Sequence, residues 1–320
     1  MGILSLFNRG GKRAKQLYAA ARDLIDEGRF EDALAIARKL RKLSYSGAYE
    51  IEGMAYAGLD RHEDAVRVIR EGLQYAPNVW LNWHLLGNCL SDLGRFDEAM
   101  TAFDRAAACS GADISYVNLN RAVAAVRAGD HASALTWLDG VHSESLRAAT
   151  ISTRISALRG MGRSDEALDL AMRTLREWTD TGRAADEGPM GAIAASAAGI
   201  RRENGESPLL IRNFAIDYWR ATRNVQLLWL IRDVMPQVST VAKYFRILIH
   251  VQTSDTTGYY TAADVVADDQ DEAMRFVREI EDLDGTDDVN MDEVTDLGTS
   301  PDPKGVYALR GRTYYREDSQ

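Results

Sequence analysis

An alanine recurs as Ala33, Ala65, Ala99, Ala134 and Ala167, at intervals of 32, 34, 35 and 33 residues. Each lies in a similar segment: EGRFEDAL, LDRHEDAV, LGRFDEAM, AGDHASAL and MGRSDEAL. Apolar residues at helical spacing run up to each segment and away from it again, so every unit is a helix, a tight turn and a second helix. Two helices of about a dozen residues and two short connections use roughly 34 residues, and a near-constant count keeps successive hairpins in register. One such hairpin cannot bury both faces, so the frame calls for a stack.

The stretch Leu81 to Ala108 carries the pattern most fully. With Trp80 as position 1 it has Trp83 at 4, Leu86 at 7, Gly87 at 8, Gly94 at 15, Phe96 at 17, Ala99 at 20, Phe103 at 24 and Ala106 at 27. This closely resembles the tetratricopeptide (TPR) repeat, with small residues where two helices approach and large ones around them. The second repeat keeps Tyr49, Gly53, Ala65 and Pro77. The fourth has Arg121 and Ala122 where Leu and Gly are usual, and the fifth has Ile155 and Thr174 in place of Gly and Ala. The resemblance implies a mostly α chain, a TPR α-solenoid that binds a protein partner.

Beyond about residue 181 the consensus fades but the helical period persists. Met190–Arg202, a helix opened by Pro208, and a helix from Val225 to Met235 read as a degenerate hairpin with a capping helix. Trp219 and Trp229 are expected in a buried capping seam. At Lys243 the period becomes alternating, with Phe245, Ile247, Ile249 and Val251 on one side of a half-buried strand. A second strand over Gly258–Val266 follows, then a helix from Asp269 with Glu272 at capping-box spacing, then strands over Val289–Leu297 and Val306–Tyr315. The expected organisation is a tail over 1–13, five repeats over 14–180, a degenerate repeat with capping helices over 181–242, and a small β-β-α-β-β α+β domain over 243–320.

Charge divides unevenly. Residues 255–320 hold 18 Asp or Glu against 6 Lys or Arg, and residues 1–254 hold 30 against 32. An acidic module on a nearly neutral body speaks against sequence-independent nucleic-acid binding, which needs a basic surface. It fits a basic surface on a partner, or the first repeat, which carries nine bases against five acids over residues 12–43. No apolar run reaches the roughly 18 to 20 residues of a membrane span, and Ile3–Phe7 is too short for a secretory signal. Cys89 and Cys109 form neither a disulfide framework nor a metal spacing. A cytoplasmic setting is expected, and a homo-oligomer stays open.

In TPR arrays the concave surface is lined by positions 2, 5, 9, 12 and 13 of each first helix. Carried onto this chain, the frame assigns peptide binding to Tyr18 and Arg22, Glu50 and Met54, His84 and Asn88, and Tyr116, Leu119, Val123 and Arg127, and Asn120 joins them as an asparagine of the clamp pattern. Asn88 can both donate to and accept from a peptide backbone. The carboxylate clamp that grips chaperone tails is not matched. Asn88 and Asn120 are in place, but His84 stands for a basic residue, and Ala149 and Thr153 stand for the last two cations.

No catalytic pattern, cofactor motif or metal set emerges. The five histidines are scattered, no phosphate-binding glycine loop follows a strand, and the acidic run Glu279–Glu293 puts Ile280 and Met291 where calcium ligands belong. The expected function is a non-enzymatic adaptor. The alternative is a regulatory or enzymatic C-terminal module recruited by the TPR arm, which a cleft of convergent polar groups in that module would favour.

Overall fold

A computed structural model describes residues 3–181, 187–254, 257–281 and 288–316; side chains at 3–10, 187, 253–254, 288 and 315–316 are not described. The chain divides into two compact units, Met1–Gly162 and Arg163–Gln320.

The first unit is a run of antiparallel helices: α1 (Ile3–Asp26), α2 (Phe30–Lys42), α3 (Gly47–Gly58), α4 (His62–Tyr75), α5 (Trp80–Asp92), α6 (Phe96–Ala108), α7 (Ile114–Arg127), α8 (His131–Asp139) and α9 (Arg147–Gly160). The backbone of residues 3–13, read as a tail, is continuous with the first repeat's helix. Helices α1, α3, α5 and α7 each pack on their own second helix and on the next first helix, as the frame requires.

The repeated turn has a physical cause. Gly28, Gly94, Gly129 and Gly162 all adopt φ between 72° and 80°, and Asp60 takes φ 57° at the equivalent place in the second repeat. A left-handed residue there lets the next N–H reach back five residues, as in Arg29 N to Leu24 O at 2.8 Å and Arg95 N to Leu90 O at 2.8 Å. The small residue at position 8 answers a large one at position 24. A Cβ on Gly87 would lie 2.5 Å from Cε1 of Phe103, and one on Gly53 would lie 2.6 Å from Cγ1 of Ile69. Ala33, Ala65, Ala99 and Ala134 are fully buried at these crossings.

Arg121, the oddity of the fourth repeat, is buried between helices. Its guanidinium lies 4.4 Å above the Trp137 ring, donates to Asn118 Oδ1 at 3.1 Å and pairs with Asp104. An aromatic face and two oxygens replace the apolar contacts of the usual leucine.

The second unit begins with α10 (Ser164–Thr181), α11 (Glu187–Glu203), α12 (Pro208–Thr222) and α13 (Val225–Asp233). Pro208 opens α12, and Asn224 caps α13 by accepting from Gln226 N at 2.9 Å. Trp219 is buried beneath Arg223, whereas Trp229 is 47% exposed. The expected seam therefore holds one tryptophan, because α13 buries Leu227, Leu228 and Ile231 and turns Trp229 outward.

The sheet follows, with β1 (Lys243–Ser254), β2 (Thr257–Ala267), β3 (Asp288–Thr299), β4 (Gly305–Leu309) and β5 (Thr313–Arg316). All pairings are antiparallel in the order β3-β1-β2-β4, with β5 also on β2. Phe245, Ile247, Ile249 and Val251 are buried, as alternation predicted. Helix α14 (Gln270–Glu281) lies against β2 and β4 and buries Ala273, Met274, Val277 and Ile280. Half of the expected capping box forms: Asp269 Oδ1 accepts from Glu272 N at 2.8 Å, while the Glu272 carboxylate accepts from Asp268 N, one residue before the cap, at 2.8 Å.

The last expected strand is two strands. Between them Arg310 N donates to Ala262 O at 2.9 Å, Thr261 Oγ1 donates to Arg310 O at 2.8 Å, and Arg312 leaves the ladder to pair with Glu281.

Candidate functional site

Helices α1, α3, α5, α7 and α9 stand side by side in the first unit, which brings the groove positions of successive repeats together. At the N-terminal end, Tyr18 donates its hydroxyl to Glu50 Oε1 at 2.7 Å. Arg22 reaches the same oxygen at 3.2 Å and Met54 Sδ at 3.4 Å. These four assigned residues form one network. Burial and the Glu50 carboxylate push the Tyr18 hydroxyl pKa well up, so the tyrosine stays a neutral donor.

A second cluster lies on α5 and α7. The His84 ring sits 4.8 Å from Tyr116, 5.8 Å from Phe103 and 5.9 Å from Trp80. His84 is 3% exposed, its Nε2 has no hydrogen-bond partner, and burial lowers its pKa to about 4. A neutral ring thus stands where a carboxylate clamp needs a cation. Tyr116 covers it and remains 39% exposed.

Three assigned residues are placed differently from a lining role. Glu50 and His84 are buried beneath their neighbours, and Leu119 belongs to the core with Ala122, Ala134 and Leu138. Asn88 and Val123 are half-buried. Asn120 is also half-buried and spends an amide hydrogen on Tyr116 O at 3.0 Å. Arg127 is exposed and paired with Asp92, with Ser91 Oγ at 3.5 Å. Asp92 and Ser91 were missed, although they hold positions 13 and 12 of the third repeat in the same frame.

The second unit contains a cleft between α12, α13, α14 and β4, with a volume of about 230 Å³. Leu228, Ile231, Met235 and Phe276 line it together with Arg232 and the Arg212–Glu279 pair. Nothing in the helical or strand period marks this place, because its walls come from four elements.

Among the described residues no group of three His, Cys, Asp or Glu is set to hold a metal, and no helix is long and apolar enough to cross a membrane. Part of the acidic run weighed for calcium, 282–287, lies outside the described residues.

The geometry defines a class, a stack of helical hairpins with side chains gathered along its first helices. The tetratricopeptide repeat family model matches residues 18–79, 52–114 and 86–142. The match makes residues 18–142 tetratricopeptide repeats, and a small antiparallel sheet follows the later helices. A tetratricopeptide repeat protein from Parabacteroides merdae is similar in structure. It has a TM-score of 0.54 and 11% identity, over 70% of this chain and 86% of that one. The Cut9-Hcn1 hetero-tetramer of the APC/C has a TM-score of 0.50 and 16% identity, over 72% of this chain and 48% of the other. At such identities the likeness concerns the fold. No curated protein matches the sequence significantly.

Proposed function

We propose that the chain is a non-enzymatic adaptor that holds a peptide or helix of a partner protein along α1, α3, α5 and α7, with the C-terminal module adding a second contact. The observation that carries this reading is the Tyr116 ring, 39% exposed and seated 4.8 Å from the buried His84 ring between two repeats. An aromatic side chain held by packing from below and open above is the kind of residue that dominates peptide interfaces. Asn88, four residues beyond His84, and Val123, seven beyond Tyr116, extend the surface with an amide and an aliphatic group. The Tyr18–Arg22–Glu50–Met54 network supplies a preorganised polar end.

The test is selection of binders from a displayed random-peptide library by the full chain, followed by affinity measurements on the Asn88→Ala/Tyr116→Ala variant. A loss of at least tenfold with unchanged melting supports the site, and equal affinity moves it elsewhere.

A further inference from the structure

The cleft of the second unit is separate from the first-helix surface and has its own chemistry. Its lining contains three cations and one carboxylate, and their commitments differ. Arg212 is held by both oxygens of Glu279. Lys304, lining the same cleft, donates to Asp268 at 2.9 Å and to both Glu272 oxygens at 2.9 and 3.1 Å, which uses its three hydrogens. Arg232 differs, because only its Nε is engaged, on Asp233 Oδ1 at 2.5 Å. Among the described residues its two terminal nitrogens have no hydrogen-bond partner, although the side chain is only 15% exposed.

Arg232 is also held in place. Its guanidinium lies 4.3 Å over the Tyr307 ring. Its stem packs on Gly305, where a Cβ would come 3.2 Å from Arg232 Cγ, and Gly305 sits at φ 139°, which other residues avoid. Strand β4 thus fixes a guanidinium with spare donors beside an apolar wall of Leu228, Ile231, Met235 and Phe276. Met235 at the cleft is 46% exposed.

We propose that this cleft binds a carboxylate carried on a short apolar chain, with Arg232 meeting the carboxylate and the apolar wall enclosing the chain. Guanidinium and carboxylate match as a two-point pair. At about 230 Å³ the cleft lies below the roughly 300–1,000 Å³ of pockets for drug-sized ligands, so the chain is short, about the size of one large aliphatic side chain or a medium aliphatic acid. A free aliphatic acid and the C-terminus of a peptide ending in leucine share that chemistry.

The experiment titrates the full chain by calorimetry with octanoate, with octanol, with a tripeptide ending in leucine, and with the same tripeptide as its C-terminal amide. The expected result is one site for octanoate, the free-acid peptide or both, at least tenfold tighter than the matching neutral compound. Whichever acid binds names the source. The Arg232→Gln variant is expected to weaken binding at least tenfold, since hydrogen bonds to a charged group are lost. Met235→Trp fills the cleft from its exposed side, and is expected to abolish binding while melting like the parent. If Arg232→Gln fails to fold, Met235→Trp decides. The proposal is overturned if neither acid binds, if the neutral compounds bind as tightly as the acids, or if a folded variant binds as the parent does.

Discussion

Arg220 of α12 closes the C-terminal end of α14, donating to Glu279 O at 2.7 Å and to Ile280 O at 3.0 Å. A cation at the last carbonyls of a helix satisfies groups that have no partner within it and complements its dipole. Two neighbours extend the seam. Arg212 holds the Glu279 carboxylate, and Arg223 and Arg312 together hold Glu281, which is 5% exposed.

Acid is expected to loosen this seam. Burial alone raises the Glu281 pKa, but hydrogen bonds from Arg223 and Arg312 outweigh it and leave the carboxyl below its ordinary value. The bond from Arg212 does the same for Glu279. Both folded pKa values are depressed, so their contribution is complete above the ordinary carboxylate pKa and is lost as pH falls through it toward the folded values. Glu281→Gln is expected to cost about 3 kcal/mol at neutral pH, the low end for breaking a buried pair, and to flatten the acid dependence below pH 4.5. Urea unfolding followed by circular dichroism between pH 3 and pH 7 checks both.

His84 titrates in a higher window. Its folded pKa of about 4 lies below the ordinary 6.5, so the unfolded chain binds the extra proton and stability falls as pH drops from 6.5 toward 4, by about 3 kcal/mol in all. Replacing it with phenylalanine removes the titration and the unpartnered Nε2. His84→Phe is expected to exceed the parent by about 2 kcal/mol at pH 5, and a variant no more stable there contradicts the neutral buried ring.

Two glycine substitutions should differ in sign. Gly87→Ala forces a Cβ to within 2.5 Å of Phe103 and is expected to cost about 1 to 3 kcal/mol, as is Ala99→Leu at the same crossing. Gly11→Ala, inside α1 with nothing within 4 Å, is expected to stabilise by about 0.5 to 1 kcal/mol. Melting temperatures of the three variants against the parent provide the check.

The cysteines should react unequally. Cys89 is 1% exposed and burial pushes its thiol up to about 12, whereas Cys109 is only half-buried and at a helix end. A thiol reagent at pH 8 is expected to label one cysteine in the native protein and two in denaturant. Two labelled thiols under native conditions contradict the burial of Cys89.

The placement of the candidate residues was partly legible. Tyr18, Arg22, Glu50 and Met54 do meet, because a constant repeat length stacks equal positions of neighbouring helices. Position number does not say which side chain covers which. His84 and Leu119 have groove positions yet are buried, His84 beneath Tyr116 and Leu119 in the core of the fourth repeat.

The sequence alone determined what depends on neighbours along the chain. Helix period, the left-handed residue in each turn, the Gly87–Phe103 size match, the alternation of β1 and the Asp269 cap of α14 are all set by residues a few to about twenty positions apart. The tertiary structure decided what depends on distant partners. Arg220 meets the end of α14 some 60 residues on. Arg312, in the break between β4 and β5, pairs with Glu281 of α14. Four elements enclose the cleft around Arg232. An ion pair or a cavity wall leaves no periodic mark, since its members are chosen by where folding brings them rather than by their spacing.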